Sequence, residues 1–325
     1  LGMLYCIQGK YSQAEPLFQE ALVMTKRLFT GDHPYVAGTL NSLAFLYLIQ
    51  GKYSQAEPLF QEAIAMMKRW FTGDHPDVAS CLNNLASFYN NQAKYSEAEP
   101  LFQEALAMKK RLFTGDHPDV VTCLNDLAML YYNQGKYSEA EPLFQEALGI
   151  CKRLFTGDHR HVAITLTNLA LLYNNQGKYN EAEPLFQEAL AMKKRLFTGD
   201  HSDVATSLTN LALLYNNQGK YSEAEPLFQE ALAMKKRLFT GDHPDVATIL
   251  SNLALLYDNQ GKYSEAESLY QDALAIYKRL FKTDHPDIAR SLHNLAALYH
   301  SQEKYSEAEN FCQKALAIYK RLFTL

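Results

Sequence analysis

Seven aspartate–histidine pairs punctuate the 325-residue chain: Asp32-His33, Asp74-His75, Asp116-His117, Asp158-His159, Asp200-His201, Asp242-His243 and Asp284-His285. A carboxylate beside an imidazole could move protons or hold a metal. Adjacent side chains seldom ligate one ion, however, and pairs 42 residues apart fall on successive turns of a repeating structure. A helix-capping role accounts for them without chemistry. In "DHP", His243 stands at an N-cap position, Pro244 suits the first helical residue, and Asp245 faces the positive helix end. The stretch "DHRHVA" at 158–163 departs by its Arg160 and His161. It is the one local histidine pair and a weak metal candidate, for which sequence drift is the simpler account. Five cysteines (Cys6, Cys81, Cys123, Cys151, Cys312) share no place in the repeat and no CxxC spacing. They read as small core residues of a reducing compartment, not as a disulfide or zinc framework. No nucleophile–base–orienter set and no phosphate loop occurs, so no catalytic residue, metal or cofactor is expected and the chain reads as a non-enzyme.

The elements that must position any site come from the repeat itself. "EAEPLFQEALAMKKRLFTGDH" stands verbatim at 97–117, 181–201 and 223–243. A "QGKY"-like turn recurs at Gly9, Gly51, Ala93, Gly135, Gly177, Gly219, Gly261 and Glu303, always 42 residues apart. Eight units follow: 1–33 (partial), 34–75, 76–117, 118–159, 160–201, 202–243, 244–285 and 286–325 (partial). Each reads as two helices. Before Gly219, Leu208, Leu211, Ala212 and Tyr215 form one apolar stripe; after it, Tyr221, Ala224, Phe228, Ala231 and Leu232 form another. The second helix is expected to begin with a capping box, Ser222-Glu223-Ala224-Glu225, and to be stopped by Gly241. A lone unit buries too little to offset its chain entropy, so units must stack. Ala44, Ala86, Ala128, Ala170, Ala212, Ala254 and Ala296 in the first helices, and Ala56, Ala98, Ala140, Ala182, Ala224, Ala266 and Ala308 in the second, stand where helices cross closely.

Leu, Leu-Ala and Tyr, then Gly, Tyr, Ala, Phe and Ala, resemble the tetratricopeptide (TPR) pattern. The 42-residue period, with "LTNLALLYNNQGKYSEAEPLFQEAL" and "GDHPDVA", resembles the kinesin light chain type, also found in many bacterial proteins. The resemblance covers essentially the whole chain. It implies an all-α fold, a right-handed α-α superhelix of antiparallel helix pairs, here one TPR solenoid domain over 1–325. It also implies that the first helices line a concave groove that binds extended or helical peptide segments.

Residues shared by every unit must serve folding and stacking, so recognition is expected where units differ. Counting back from each turn isolates one face of the first helix. Nine before it stand Ser42, Asn84, Asp126, Asn168, Asn210, Asn252 and Asn294. Two before it stand Asn91, Asn133, Asn175, Asn217 and Asn259, with Ile49 and Ser301 at the ends. Asparagine offers a donor and an acceptor, so such ladders suit a peptide backbone of any sequence. They equally suit hydrogen bonds between neighbouring helices, or solvent. The resemblance implies that the nine-before asparagines Asn84, Asn168, Asn210, Asn252 and Asn294 point into the groove; Ser42 and Asp126 depart from that pattern. Six before the turn, Met129, Leu171 and Leu213 belong to an apolar column that fits ligand side chains and helix–helix core equally well.

Charge narrows the partner. Net charge is −5, and from the valine or isoleucine after "HPD" to the glutamine before the turn the first helices carry only Arg290 as a strong base, which argues against nucleic acid and against a clamp for carboxylates. "KKR" at the end of the second helices reads as a solvated face. A neutral to mildly basic peptide or protein ligand is expected, with Asp126 and Asp258 favouring the basic end. No apolar run is long enough to cross a membrane, and no signal peptide is evident, which points to the cytoplasm. The opening "LGMLYCIQGKY" reads as the middle of a longer protein. The apolar N-terminal end (Met3, Cys6, Ile7, Phe45, Leu48, Ile49) then reads as a surface that a missing repeat once covered. Ser268, Tyr270, Lys282, Asn310, Cys312 and Lys314 mark the last two units as a drifting cap ending near 325. End-to-end self-association through apolar ends is the alternative function.

Overall fold

The computed structural model describes residues 1–323, with the backbone alone of Ile7; positions 324 and 325, the close of the eighth expected unit, lie outside the described residues. Every regular element among the described residues is an α-helix. The first helices are α1 (Gly2–Ile7), α3 (Pro34–Ile49), α5 (Pro76–Asn91), α7 (Pro118–Asn133), α9 (Arg160–Asn175), α11 (Ser202–Asn217), α13 (Pro244–Asn259) and α15 (Pro286–Ser301). The second helices are α2 (Tyr11–Leu28), α4 (Tyr53–Trp70), α6 (Tyr95–Leu112), α8 (Tyr137–Leu154), α10 (Tyr179–Leu196), α12 (Tyr221–Leu238), α14 (Tyr263–Leu280) and α16 (Tyr305–Phe323).

The first helices begin as their sequence dictates. His243 Nδ1 accepts the Asp245 N–H at 3.1 Å, and Pro244 is the first helical residue. Each capping imidazole also stacks on the phenylalanine four residues before it. Phe113 and His117 lie 3.5 Å apart and 1° from parallel, and Phe239 and His243 repeat the stack. The inter-helix turn is closed by the backbone. Gly219 takes φ +72, its N–H reaches Asn216 O at 3.0 Å, and the Lys220 N–H reaches Tyr215 O at 2.8 Å. This is a Schellman closure.

That closure overturns the expected capping box. The second helix starts at Tyr221, directly after Lys220, and no side chain caps it. Ser222 therefore lies inside the helix, where its Oγ bonds Glu223 Oε2 at 2.6 Å. Glu225 Oε1 instead accepts from Tyr257 Oη, 3.0 Å away on the next first helix. Ala93 and Glu303 hold the same turn at φ 57 and 62 without glycine. A left-handed L-residue costs about 1–2 kcal/mol. Ala93→Gly is therefore expected to stabilise the chain by about 1 kcal/mol, read as a higher denaturant midpoint at constant slope. A lower midpoint would contradict it.

Packing divides the chain into two compact units, residues 1–6 with 10–196, and 7–9 with 197 onward. In the first, α3/α4, α5/α6, α7/α8 and α9/α10 pair, and α2, α4, α6 and α8 each also pack on the first helix that follows. In the second, α11/α12, α13/α14 and α15/α16 pair, with α12 on α13 and α14 on α15. The alanines expected at helix crossings are buried in both units. Phe144 is fully buried among Ala128, Ala140, Leu169 and Leu172.

Polar ladders join successive pairs. Arg69 grips Asp32 with both Nε and Nη2, and Arg111–Asp74, Arg153–Asp116 and Arg195–Asp158 repeat the fork in the first unit. Arg237–Asp200, Arg279–Asp242 and Arg321–Asp284 repeat it in the second. The aspartate of each Asp–His pair thus grips its neighbour while the histidine caps. Hydrogen bonds from these arginines hold the seven carboxyls below the usual carboxylate range. With the folded pKa below the unfolded value of about 3.9, the ladder's stabilisation is present above that pH. It is lost as pH falls through the folded values. Burial pushes Asp126 and Asp258 the other way, a minority of two against seven. The melting midpoint, followed by circular dichroism at low salt, is expected to hold from pH 6 to about 5 and then fall toward pH 2. A midpoint unchanged between pH 5 and 2 would refute the ladder's contribution.

Candidate functional site

The nine-before column, Asn84, Asp126, Asn168, Asn210, Asn252 and Asn294, is half-buried throughout. Its members differ in what they already bind. Asp126 Oδ2 accepts from Asn83 Nδ2 at 2.7 Å, and Asn168 Nδ2 donates to Asn125 Oδ1 at 3.4 Å. Asn125 is buried and also donates to Val121 O and Thr165 Oγ1. The ten-before amides of Asn83 and Asn125 thus tie up the next helix's nine-before side chain, whereas Asn41 makes no such bond to Asn84. In the next three first helices that position is Thr167, Thr209 and Ser251, whose hydroxyls donate back to Ala163 O, Ala205 O and Ala247 O in their own helices. No side-chain hydrogen bond joins Asn84, Asn210, Asn252 or Asn294 to another described residue.

The two-before column, Asn133, Asn175, Asn217 and Asn259, is exposed. Asn133 donates to Asn90 Oδ1 at 3.1 Å, Asn259 to Asn216 Oδ1 at 3.1 Å, and Asn175 to Tyr132 Oη at 2.5 Å. These amides link neighbouring helices. In the apolar column, Met129, Leu171 and Leu213 are each half-buried. Met129 packs on the Phe144 core, whereas Leu213 lines an open cleft.

That cleft, of about 260 Å³, lies between α11 and α13 and brings Asn210, Asn252 and Leu213 together with Thr206, Thr248 and Ile249. At its base stands Lys235. Sequence reasoning missed this residue, because "KKR" reads as solvated. Lys109, Lys193 and Lys235 are in fact buried, at 3%, 5% and 1% exposure. Their place was legible in the spacing: Ala224, Phe228, Ala231 and Lys235 continue one helical stripe, and Met67, Cys151 and Tyr277 occupy the same column. Lys235 Nζ donates to Ser202 Oγ at 2.5 Å and to Asp245 Oδ2. Lys109 Nζ donates to Asp119 Oδ2 at 2.6 Å beside a second cleft, of about 190 Å³, that includes Asn83, Asn84 and Thr122. Lysine therefore does reach this face, from the second helices and already ion-paired.

Elsewhere the chemistry-bearing residues are held structurally. His159 Nδ1 accepts the His161 N–H at 3.2 Å, and their rings stack 5.4 Å apart. Burial, then His159 and Arg160, lowers the His161 pKa. Cys81, Cys123 and Cys151 are buried as expected, and burial pushes the first two thiols up to about 11 and 12. Cys6 is half-exposed and Cys312 exposed, departing from a core role. Among the described residues no group of three His, Cys, Asp or Glu could hold a metal. No described helix is long and apolar enough to cross a membrane.

Helix pairs coupled by contacts that recur one period apart define a helical-repeat solenoid. A tetratricopeptide repeat model matches residues 1–69, 36–111, 77–153, 122–195, 161–237, 203–279 and 245–321. The chain belongs to the tetratricopeptide repeat family. No curated protein matches it. Among solved structures, BtubC (BKLC) from P. vanneervenii is 23% identical, with 70% of this chain and 92% of that one covered and a TM-score of 0.58. A Podosopora anserina protein described as a kinesin light chain with nearly identical TPR-like repeats is 24% identical (63% and 98% covered, TM-score 0.51). The Rap conjugation gene regulator of plasmid pLS20, in complex with the Phr* peptide, is 16% identical (90% and 74% covered, TM-score 0.66). The kinesin light chain-like resemblance of the sequence and its all-α fold are both matched by these relatives.

Proposed function

We propose that the chain is a non-enzymatic, cytoplasmic interaction scaffold, one solenoid whose first-helix face forms a groove for a neutral to mildly basic peptide. One observation carries the reading: the Asn210 and Asn252 amides, without side-chain partners, flank an open cleft walled by Leu213 and Ile249. A peptide backbone presents the N–H and C=O that such amides satisfy. A structural relative captured with a peptide shares this architecture. Asn84 and Asn294 extend the set. Asp126, Asn168, Asn133, Asn175 and Asn259 serve the groove through their free lone pairs while tying helices together, and Met129, Leu171 and Leu213 meet apolar side chains. Peptide display against the 325-residue chain is expected to enrich binders that lose at least tenfold affinity, about 1.4 kcal/mol, in Asn210→Ala/Asn252→Ala. Binders indifferent to that double substitution would move the site elsewhere.

End-to-end association is the second reading. It is favoured by the exposed Val23, Met24 and Leu28 near one end and Leu316 near the other. Sedimentation mass that rises with concentration would support it.

A further inference from the structure

The ion pair at the base of the α11–α13 cleft is unequal. The Lys235 side chain is 2% exposed, while that of Asp245 is 43% exposed. A ligand entering the cleft therefore meets the carboxylate and not the ammonium. Only Oδ2 of Asp245 is held by Lys235. Oδ1 lies 4.0 Å from His243 Nδ1, and that nitrogen accepts the Asp245 N–H, so it has no proton to offer the carboxylate. Leu213 and Ile249 wall the cleft, and Asn210 and Asn252 flank it with amides that each carry an acceptor oxygen. An apolar sleeve ending at acceptors matches a side chain with a methylene stem and a cationic head. The other compact unit repeats the unequal ion pair in a cleft walled by Ser80, Asn83, Asn84, Thr122 and Cys123 in place of the aliphatic sleeve: Lys109 is 4% exposed, Asp119 is 44% exposed, and His117 Nδ1 accepts the Asp119 N–H.

We propose that these two clefts are subsites for lysine or arginine side chains, with Asp119 and Asp245 as counter-charges. This rests on the peptide-binding reading above and assigns side-chain specificity to it. The buried lysine sets the strength of each subsite, because its ammonium offsets the carboxylate's charge and occupies one of its two oxygens. A natural contrast exists in the chain: Met67 takes the lysine's place, 4% exposed, and the Asp77 side chain before the next cleft is 58% exposed.

The test uses the whole chain and a fluorescein-labelled octapeptide of alternating alanine and lysine, read by anisotropy at physiological salt. The same peptide with every lysine acetylated keeps the stem and lacks the charge. Asp119→Asn/Asp245→Asn is expected to weaken the lysine peptide at least fivefold. Lys109→Met/Lys235→Met, which reproduces the residue found at position 67, is expected to tighten it several-fold. Glu188→Gln/Asp272→Asn, on exposed surfaces, removes the same charge and is expected to change affinity less than twofold. The acetylated peptide should ignore all three. Equal weakening by the cleft and surface pairs, or no tightening in the methionine variant, would overturn the proposal. Circular dichroism melts of each variant separate misfolding from lost contacts. Should displayed peptides lose binding in Asn210→Ala/Asn252→Ala yet show no response to the aspartate pair, the groove stands and the subsites fall. Failure of every peptide in every variant would remove both.

Discussion

Phe144→Ala is expected to destabilise the first compact unit by about 3–5 kcal/mol. The ring is fully buried on α8 and touches Ala128 on α7, Ala140 on α8 itself, and Leu169 and Leu172 on α9. It therefore belongs to the packing within one pair and to the junction with the next. Removing it leaves a cavity that small, rigidly placed alanines cannot fill, which puts the cost in the upper part of the range. In a solenoid such damage stays local, since each pair touches only its neighbours. Hydrogen exchange should accelerate in α7–α9 before it does in α3, and a uniform acceleration would contradict the junction picture.

Ala128→Leu is expected to cost about 1–3 kcal/mol for the opposite reason. Ala128 has no exposed surface and lies against Phe144 and Ala140. Three more carbons there must push α7 away from α8 or force strained rotamers. The two substitutions are coupled. In Phe144→Ala/Ala128→Leu the leucine enters the space that the ring vacated, so the double variant should lose at least about 1 kcal/mol less than the sum of the singles. Chemical denaturation of the four chains checks this, and strict additivity would mean that the two side chains do not share one space.

What the sequence made legible was what is local or periodic. The 42-residue period, the paired helices and the His–Pro starts could all be read because their causes lie within a few residues of one another. The capping box failed for a geometric reason: the turn closes on backbone carbonyls and the next helix starts at once, leaving Ser222 no capping position. The Arg237–Asp200 fork joins residues 37 apart, and no window on a single helix reveals it. Lys235 was misread because charge suggested solvent, while its spacing from Phe228 and Ala231 placed it inside. Among the candidate asparagines, the ten-before neighbour separates the engaged Asn168 from the open Asn210, Asn252 and Asn294. Asn125 holds Asn168, whereas the Thr209 hydroxyl turns to its own helix and leaves Asn252 open. That distinction needs a helix-to-helix register, which composition does not carry.

The arginine forks have a genealogical consequence. Every fork reaches back 37 residues, to the loop that ends the preceding unit. Excising residues 118–159 would leave Arg195 without Asp158 but deliver it to Asp116, an identical loop in an identical place. Recombination between near-identical units thus adds or deletes whole units without orphaning a partner. The same chemistry that locks neighbours together leaves the length of the array open to change from one generation to the next.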